Sequence, residues 1–313
     1  MNWLSPARRK WLLLAVKLLI VALLAWFVRG TIVGALAQVG SLHFAPGWLL
    51  LSGVLYLVGL LPEGLFWHRV LLALGQDAGL GETLRAYFIG HLGKYVPGKA
   101  MVIVLRTGLI RSHRVDTGLA VAGVFLETLT MMAVGACLAV PILAIWLSGD
   151  LRLTAAAVGM AIVAGLPTLP PVFSRLARLL GVGRSNPAVA QRLAGLSYKL
   201  LVGGWLAMIV GWAFMGASLW AVLRAVGIPA DLAANLHLYT AAVAMAVVVG
   251  FVSMIPGGLF TRDAALAVLL TPMTSGGVTT AIVAAVLRLV WLVAELAISA
   301  ILYAVGGNRP RSL

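Results

Sequence analysis

Apolar residues arrive along this chain in long uninterrupted runs, not at alternating positions. Runs at about residues 11–28, 48–67, 119–147, 153–172, 201–226 and 278–305 are each near the about 20 residues that a membrane-spanning helix needs. Strands of an outer-membrane barrel would alternate with period two, so the pattern predicts an all-α, polytopic helical membrane protein. Two segments break the pattern. Residues 80–110 are interrupted by Gly90, Gly93, Pro97 and Gly98 and carry Lys94, Lys99 and Arg106; residues 236–270 are interrupted at Pro256, Gly257 and Gly258.

Composition agrees with this reading. The chain is 62% hydrophobic and 10% charged, whereas a soluble domain carries about 25% charged residues. Its net charge of +14 comes from 23 basic and 9 acidic residues. A basic chain can bind nucleic acid, but here most Arg and Lys sit between apolar runs, where the positive-inside rule puts them. They place the N-terminus, His68 and Arg69, residues 111–114, a basic loop at 173–199 with amphipathic helices, and the C-terminus in the cytoplasm. All fit a bacterial inner-membrane protein with six full spans and two interrupted segments that enter and leave on one side. The first would dip in from the cytoplasm and the second from outside. Eight full spans is the competing count, because residues 236–253 are nearly long enough to cross. Arg8, Arg9 and Lys10 before the first run imitate a signal peptide, but the run is too long for its apolar core, so an uncleaved first span is expected.

The two interrupted segments resemble each other. Gly90, Pro97-Gly98 and Arg106 precede an apolar helix holding Glu127; Gly250, Pro256-Gly257-Gly258 and Arg262-Asp263 precede one holding Arg288 and Glu295. The chain thus reads as one integral membrane domain, 1–313, with pseudo-repeats at about 45–147 and 199–306. Under the six-span topology the repeats are inverted. Inverted repeats around discontinuous helices are the layout of many secondary transporters, with the substrate near the midplane. A Pro-Gly pair ends a helix, and the helix that follows offers free N–H groups to an anion. The bland reading is an ordinary loop between spans.

Charges in apolar runs are costly and are usually functional or paired. Lys94, Pro97, Gly98, Lys99, Arg106, Pro256, Gly257, Gly258 and Arg262 are the candidate binding residues for an anionic head group, since Arg and Lys both bind phosphate. Glu127, Asp263, Arg288 and Glu295 are the candidate gating or buried charges; alternatively, Glu127 and Glu295 neutralise cations of the opposite half. Glu63, after Pro62, is expected to reach the interface. His91 and His113 are poor metal candidates, and Cys137, the single cysteine, reads as a packing residue. No catalytic residue, metal or cofactor is assigned, as no Walker loop, HExxH, dinucleotide fingerprint or nucleophile elbow occurs.

Gly93-Lys94-Tyr95-Val96-Pro97-Gly98-Lys99, with Arg106 and Glu127 behind it, resembles the first signature of the lysylphosphatidylglycerol synthase transmembrane-region family. Ile255-Pro256-Gly257-Gly258-Leu259 with Arg262-Asp263 resembles the second, and Arg288 and Glu295 match the last helix. The family usually shows Gly where Phe260 stands and Glu where Asp263 stands. The resemblance implies a flippase-like domain that moves a lipid between leaflets. Bifunctional members add a soluble domain that transfers an amino acid to phosphatidylglycerol; the chain ends at Leu313 just after the last span, so a stand-alone, non-enzymatic member is expected. The implied partner is a membrane lipid with an anionic head group and not a nucleic acid, with a homo-oligomer or an envelope-pathway enzyme partner left open. A membrane-embedded lipid-modifying enzyme and a non-catalytic scaffold are the alternatives.

Overall fold

A computed structural model describes residues 45–96, 100–110, 115–148, 150–179, 181–182, 187–253, 255–274 and 277–307. Two compact units divide the chain, Met1–Leu42 and His43–Leu313. The first unit, with the expected span at 11–28, lies outside the described residues. So do Pro97, Gly98 and Lys99, residues 111–114 and the last six residues.

The second unit is helical. Its elements are α1 (Pro46–Ala73), α2 (Leu80–His91), α3 (Ala100–Ile110), α4 (Thr117–Ser148), α5 (Leu151–Gly165), α6 (Pro170–Leu179), α7 (Pro187–Ala194), α8 (Tyr198–Ala225), α9 (Leu232–Val252), α10 (Thr261–Leu270) and α11 (Gly277–Gly307). Five of the described helices, α1, α4, α8, α9 and α11, are long and apolar enough to cross a membrane. Their lengths follow from sequence: each apolar run continues until a cap or a breaker. Ser197 Oγ accepts from the Leu200 N–H to start α8, and Asp231 Oδ1 accepts from the Ala234 N–H to start α9, each meeting one of the donors a helix start leaves unpaired. Large apolar side chains on the outside, such as Leu50 on α1, Val202 on α8 and Val293 on α11, would be a liability in water. Against lipid tails they need no cover.

The long helices touch through small residues, as helices do in lipid, where close backbone approach replaces the hydrophobic drive. α1 and α8 cross at Gly59 and Gly211: a Cβ on Gly211 would lie 2.8 Å from the Gly59 carbonyl oxygen. Ser52 Oγ donates to the Ser218 carbonyl at 2.9 Å across the same seam. α4 joins α8 where Trp212 Nε1 donates to the Met131 carbonyl at 3.1 Å. Cys137 sits between α4 and α5, with Sγ 3.1 Å from the Ala161 carbonyl.

The run expected as one span at 153–172 is two helices. The chain bends by 63° between α5 and α6, because Pro167, Pro170 and Pro171 cannot donate to a continuing helix. α6 and α7 are amphipathic. Phe173, Ala177 and Leu193 are buried while Arg175 and Arg192 stay outside, and Ser174 Oγ donates to the Leu193 carbonyl at 2.6 Å to join them.

Each interrupted segment folds back as a helix–break–helix hairpin. In the first, α2 ends in a 3-10 turn, Leu92–Tyr95, before α3 returns. The arms close on glycine: a Cβ on Gly93 would lie 2.5 Å from the Val102 backbone nitrogen, and one on Gly90 would lie 2.4 Å from Arg106 Cγ. The second breaks at a 3-10 turn, Pro256–Gly258, between α9 and α10. There a Cβ on Gly250 would lie 3.0 Å from Arg262 Cβ. α2 has 12 residues and α9 has 21, about 18 and 32 Å at 1.5 Å per residue, so the outgoing arms are unequal.

Candidate functional site

The two breaks meet. A Cβ on Gly257 in the second would lie 3.1 Å from the Tyr95 ring of the first. Beside them opens a cavity of about 490 Å³, within the about 300–1,000 Å³ common for ligand pockets. Lys94, Arg106, Glu127, Gly257, Gly258 and Arg262 all line it, and Tyr56, His91 and Trp291 complete its polar end. The rest of the wall is apolar, from Val102 and Ile103 on α3, Phe125 and Met132 on α4, and Val247 and Phe251 on α9. Phe125 and Phe251 are both exposed, so this wall continues to the outer surface.

Local sequence sets the second turn. Gly257 and Gly258 take φ of 59° and 62°, a region glycine enters without steric cost. Phe260 follows at φ 62°, and the Thr261 N–H donates to the Leu259 carbonyl at 2.8 Å, which makes a γ-turn of the rare positive-φ form. Here a phenylalanine takes a conformation that favours glycine. Arg288 then clamps the turn: Nη2 lies 3.4 and 3.3 Å from the carbonyls of Gly257 and Gly258, and Nε donates to Asp263 Oδ1 at 2.8 Å. Arg288 therefore serves Asp263 and the turn, not Glu295 two helical turns further along α11.

The cations of the site differ in what holds them. Arg106 Nη1 lies 2.6 Å from Glu127 Oε2, and its guanidinium sits 4.0 Å from the Tyr87 ring centroid. This pair lies within one half of the chain, not between halves. Lys94 Nζ lies 2.6 Å from Glu295 Oε1, and this pair does join the halves. Tyr56 donates its hydroxyl to the same Glu295 oxygen and accepts from Lys94 Nζ at 3.1 Å. Arg262 is different. It is buried, with its guanidinium 4.3 Å from the Trp291 ring centroid, yet among the described residues it has no carboxylate or hydrogen-bond partner. Trp291 is fixed in turn by stacking on Tyr56 at 4.0 Å and by donating Nε1–H to Ser218 Oγ at 2.9 Å. The cavity thus holds a cation positioned by an aromatic face, with no acid committed to it.

His91 links the two ion pairs. Its Nε2 is 3.0 Å from Lys94 Nζ, and its Nδ1 is 3.4 Å from Arg106 Nη2. A neutral imidazole has one acceptor nitrogen, so it accepts from one of these cations at a time.

The candidate residues Pro97, Gly98 and Lys99 lie outside the described residues. Tyr56 and Trp291 are site residues that sequence reasoning passed over, since aromatic residues are ordinary in apolar runs, and His91 was weighed only as a metal ligand. Glu63 was expected at the interface. It is fully buried inside α1, where Tyr87 donates to its Oε2 at 2.6 Å and its Oε1 has no partner. Pro62 sits within α1, which continues to Ala73; the proline does not mark a helix end. No group of three metal-ligating side chains occurs among the described residues.

Fold and site together define a helical multi-pass membrane protein with a cationic cavity between two helical breaks. The family model described as lysylphosphatidylglycerol synthase TM region matches residues 14–301. The chain belongs to that family, and so to the membrane proteins of lipid handling. Comparison with curated proteins and with solved structures finds no match.

Proposed function

We propose that this protein moves a phosphate-bearing lipid between the leaflets of a bacterial cell membrane without changing it chemically. The observation that carries the reading is Arg262, a cavity-lining guanidinium with no acid partner among the described residues. A buried cation is costly unless it is paired, and a lipid phosphate supplies the missing anion in the bidentate geometry that guanidinium favours. Lys94 and Arg106 line the same cavity and strengthen its positive field. The apolar wall that runs from Val102 out to Phe125 and Phe251 suits acyl chains, which keep their contact with the bilayer while the head group enters. In this reading the two hairpins are re-entrant, the repeats are inverted and both chain termini face the cytoplasm. Opening the Lys94–Glu295 pair between the halves exposes the site to the other side.

The test is leaflet exchange in liposomes containing the purified protein, with fluorescent phosphatidylglycerol and phosphatidylcholine, followed by chemical analysis of the lipids. Selective exchange of phosphatidylglycerol, recovered unchanged, is the expected result. A modified lipid favours a membrane-embedded enzyme. No exchange of either lipid, with and without a membrane potential, removes the transport reading.

A further inference from the structure

Glu63 has no place in the cavity, yet it is the most isolated acid in the described core. It is fully buried, and no cation among the described residues lies within ion-pair distance of it. One oxygen accepts from the Tyr87 hydroxyl at 2.6 Å, and the other has no partner. The same Tyr87 hydroxyl lies 3.4 Å from Glu127 Oε1. Two carboxyls therefore share one phenol, and the nearby cation, Arg106, is committed to Glu127 at 2.6 Å.

Every packed neighbour fits this count. α2 presents Tyr87, α3 presents Arg106 and α4 presents Glu127; the turn after α2 carries Lys94, whose ion-pair partner is Glu295 of α11. α8 presents Gly211, where a Cβ would lie 3.4 Å from Glu63 Oε1, so it brings no charge. Two carboxyls with one cation between them favour a proton on one of them, because unpaired buried charge is disfavoured and like charges cannot both ionise cheaply.

Resting on the lipid-moving reading, we propose that Glu63, with Tyr87 and Glu127, is a proton-binding site that couples lipid movement to proton movement. Arg106 is the link, since it lines the cavity and also neutralises Glu127. A phosphate that draws Arg106 away leaves the two carboxyls without a cation, and they bind one further proton from water. The head group brings one negative charge and the site takes up one positive charge, so the loaded state is neutral overall and crosses without working against the membrane potential. On release of the lipid, Arg106 returns to Glu127 and the proton leaves. No covalent bond changes.

The experiment uses the full-length protein in liposomes with the membrane potential clamped, and imposes a pH difference of one unit. One-to-one electroneutral coupling predicts that fluorescent phosphatidylglycerol becomes enriched in one leaflet by about tenfold. Glu63→Gln imitates a protonated Glu63 and should keep the enrichment, whereas Glu63→Gln with Glu127→Gln removes both carboxyls and should abolish it. Wild-type exchange that ignores the gradient, or enrichment by the double variant equal to wild type, overturns the proposal while leaving the lipid-moving reading intact. A second measurement needs no transport. Infrared difference spectra of purified protein, on adding short-chain phosphatidylglycerol, should gain a protonated-carboxyl C=O band that the double variant lacks. An identical band in the double variant, or no band in the wild type, also overturns the proposal.

Discussion

The two hairpins place an arginine in the same way and leave it in opposite electrical states. Arg106 packs against Gly90 and Arg262 against Gly250, and each guanidinium lies over an aromatic ring, Tyr87 or Trp291. Each hairpin is followed by a long helix with a buried acid, Glu127 or Glu295. Glu127 turns back to Arg106 of its own hairpin. Glu295 reaches across to Lys94 of the other hairpin, and Arg262 is left without it. The departure from symmetry is electrical: Arg106 is held by an acid of its own half, and Arg262 has no carboxylate partner among the described residues. The same crossing pair ties the first break to α11.

Mutating the two arginines should separate these roles most strongly. Arg106→Gln leaves Glu127 buried without its cation and should destabilise the fold by about 3–5 kcal/mol, read as a fall in melting temperature in detergent. Restoring neutrality with Arg106→Gln plus Glu127→Gln should recover much of the loss. Arg262→Gln removes no ion pair and should leave the melting temperature near wild type. Equal destabilisation by the two single changes would break the comparison.

Lys94→Gln comes next. It strands Glu295, but the Lys94 side chain keeps 24% of its surface exposed, so the cost should be smaller, about 1–3 kcal/mol. Its distinctive effect is on the tie between hairpins: a disulfide or spin-label pair reporting on the two breaks should show a wider distance distribution. An unchanged distribution would mean that the pair does not hold them together.

Of these features, the sequence made the long helices plain and the pairings obscure. α1, α4, α8 and α11 were expected at residues 48–67, 119–147, 201–226 and 278–305 and occur at Pro46–Ala73, Thr117–Ser148, Tyr198–Ala225 and Gly277–Gly307, because an apolar run in lipid stays helical until a breaker stops it. At 153–172 the same rule found the apolar stretch but not the bend at three prolines. Pro256, Gly257 and Gly258 marked the second break, and Gly90 and Gly93 marked the close approach of the arms in the first. Lys94 and Glu295 are 201 residues apart, and no local signal chooses between partners at that separation. That Arg262 has no carboxylate partner among the described residues is likewise a fact of the fold and not of the local sequence.

Hairpin closure should differ between the breaks as well. Gly93→Ala puts a Cβ within 2.5 Å of backbone in α3 and should cost about 1–3 kcal/mol through forced separation of the arms. Gly250→Ala meets Arg262 Cβ at 3.0 Å and should cost less. Thermal melts of the two variants check the order. The smallest effect expected is a gain: Phe260→Gly relieves a positive-φ residue whose side chain is 66% exposed, and should stabilise the turn by under about 1 kcal/mol. Loss of stability there would mean that the phenyl ring contributes more than the backbone strain removes.

The most direct test of the account is equilibrium binding of short-chain phosphatidylglycerol and phosphatidylcholine to purified wild type and Arg262→Gln. If Arg262 is the cation that receives the head-group phosphate, wild type prefers the anionic lipid and Arg262→Gln loses about tenfold or more of that affinity at an unchanged melting temperature, as expected for one charge-assisted contact of about 1.5–3 kcal/mol. Equal affinity of the two proteins for phosphatidylglycerol would contradict it.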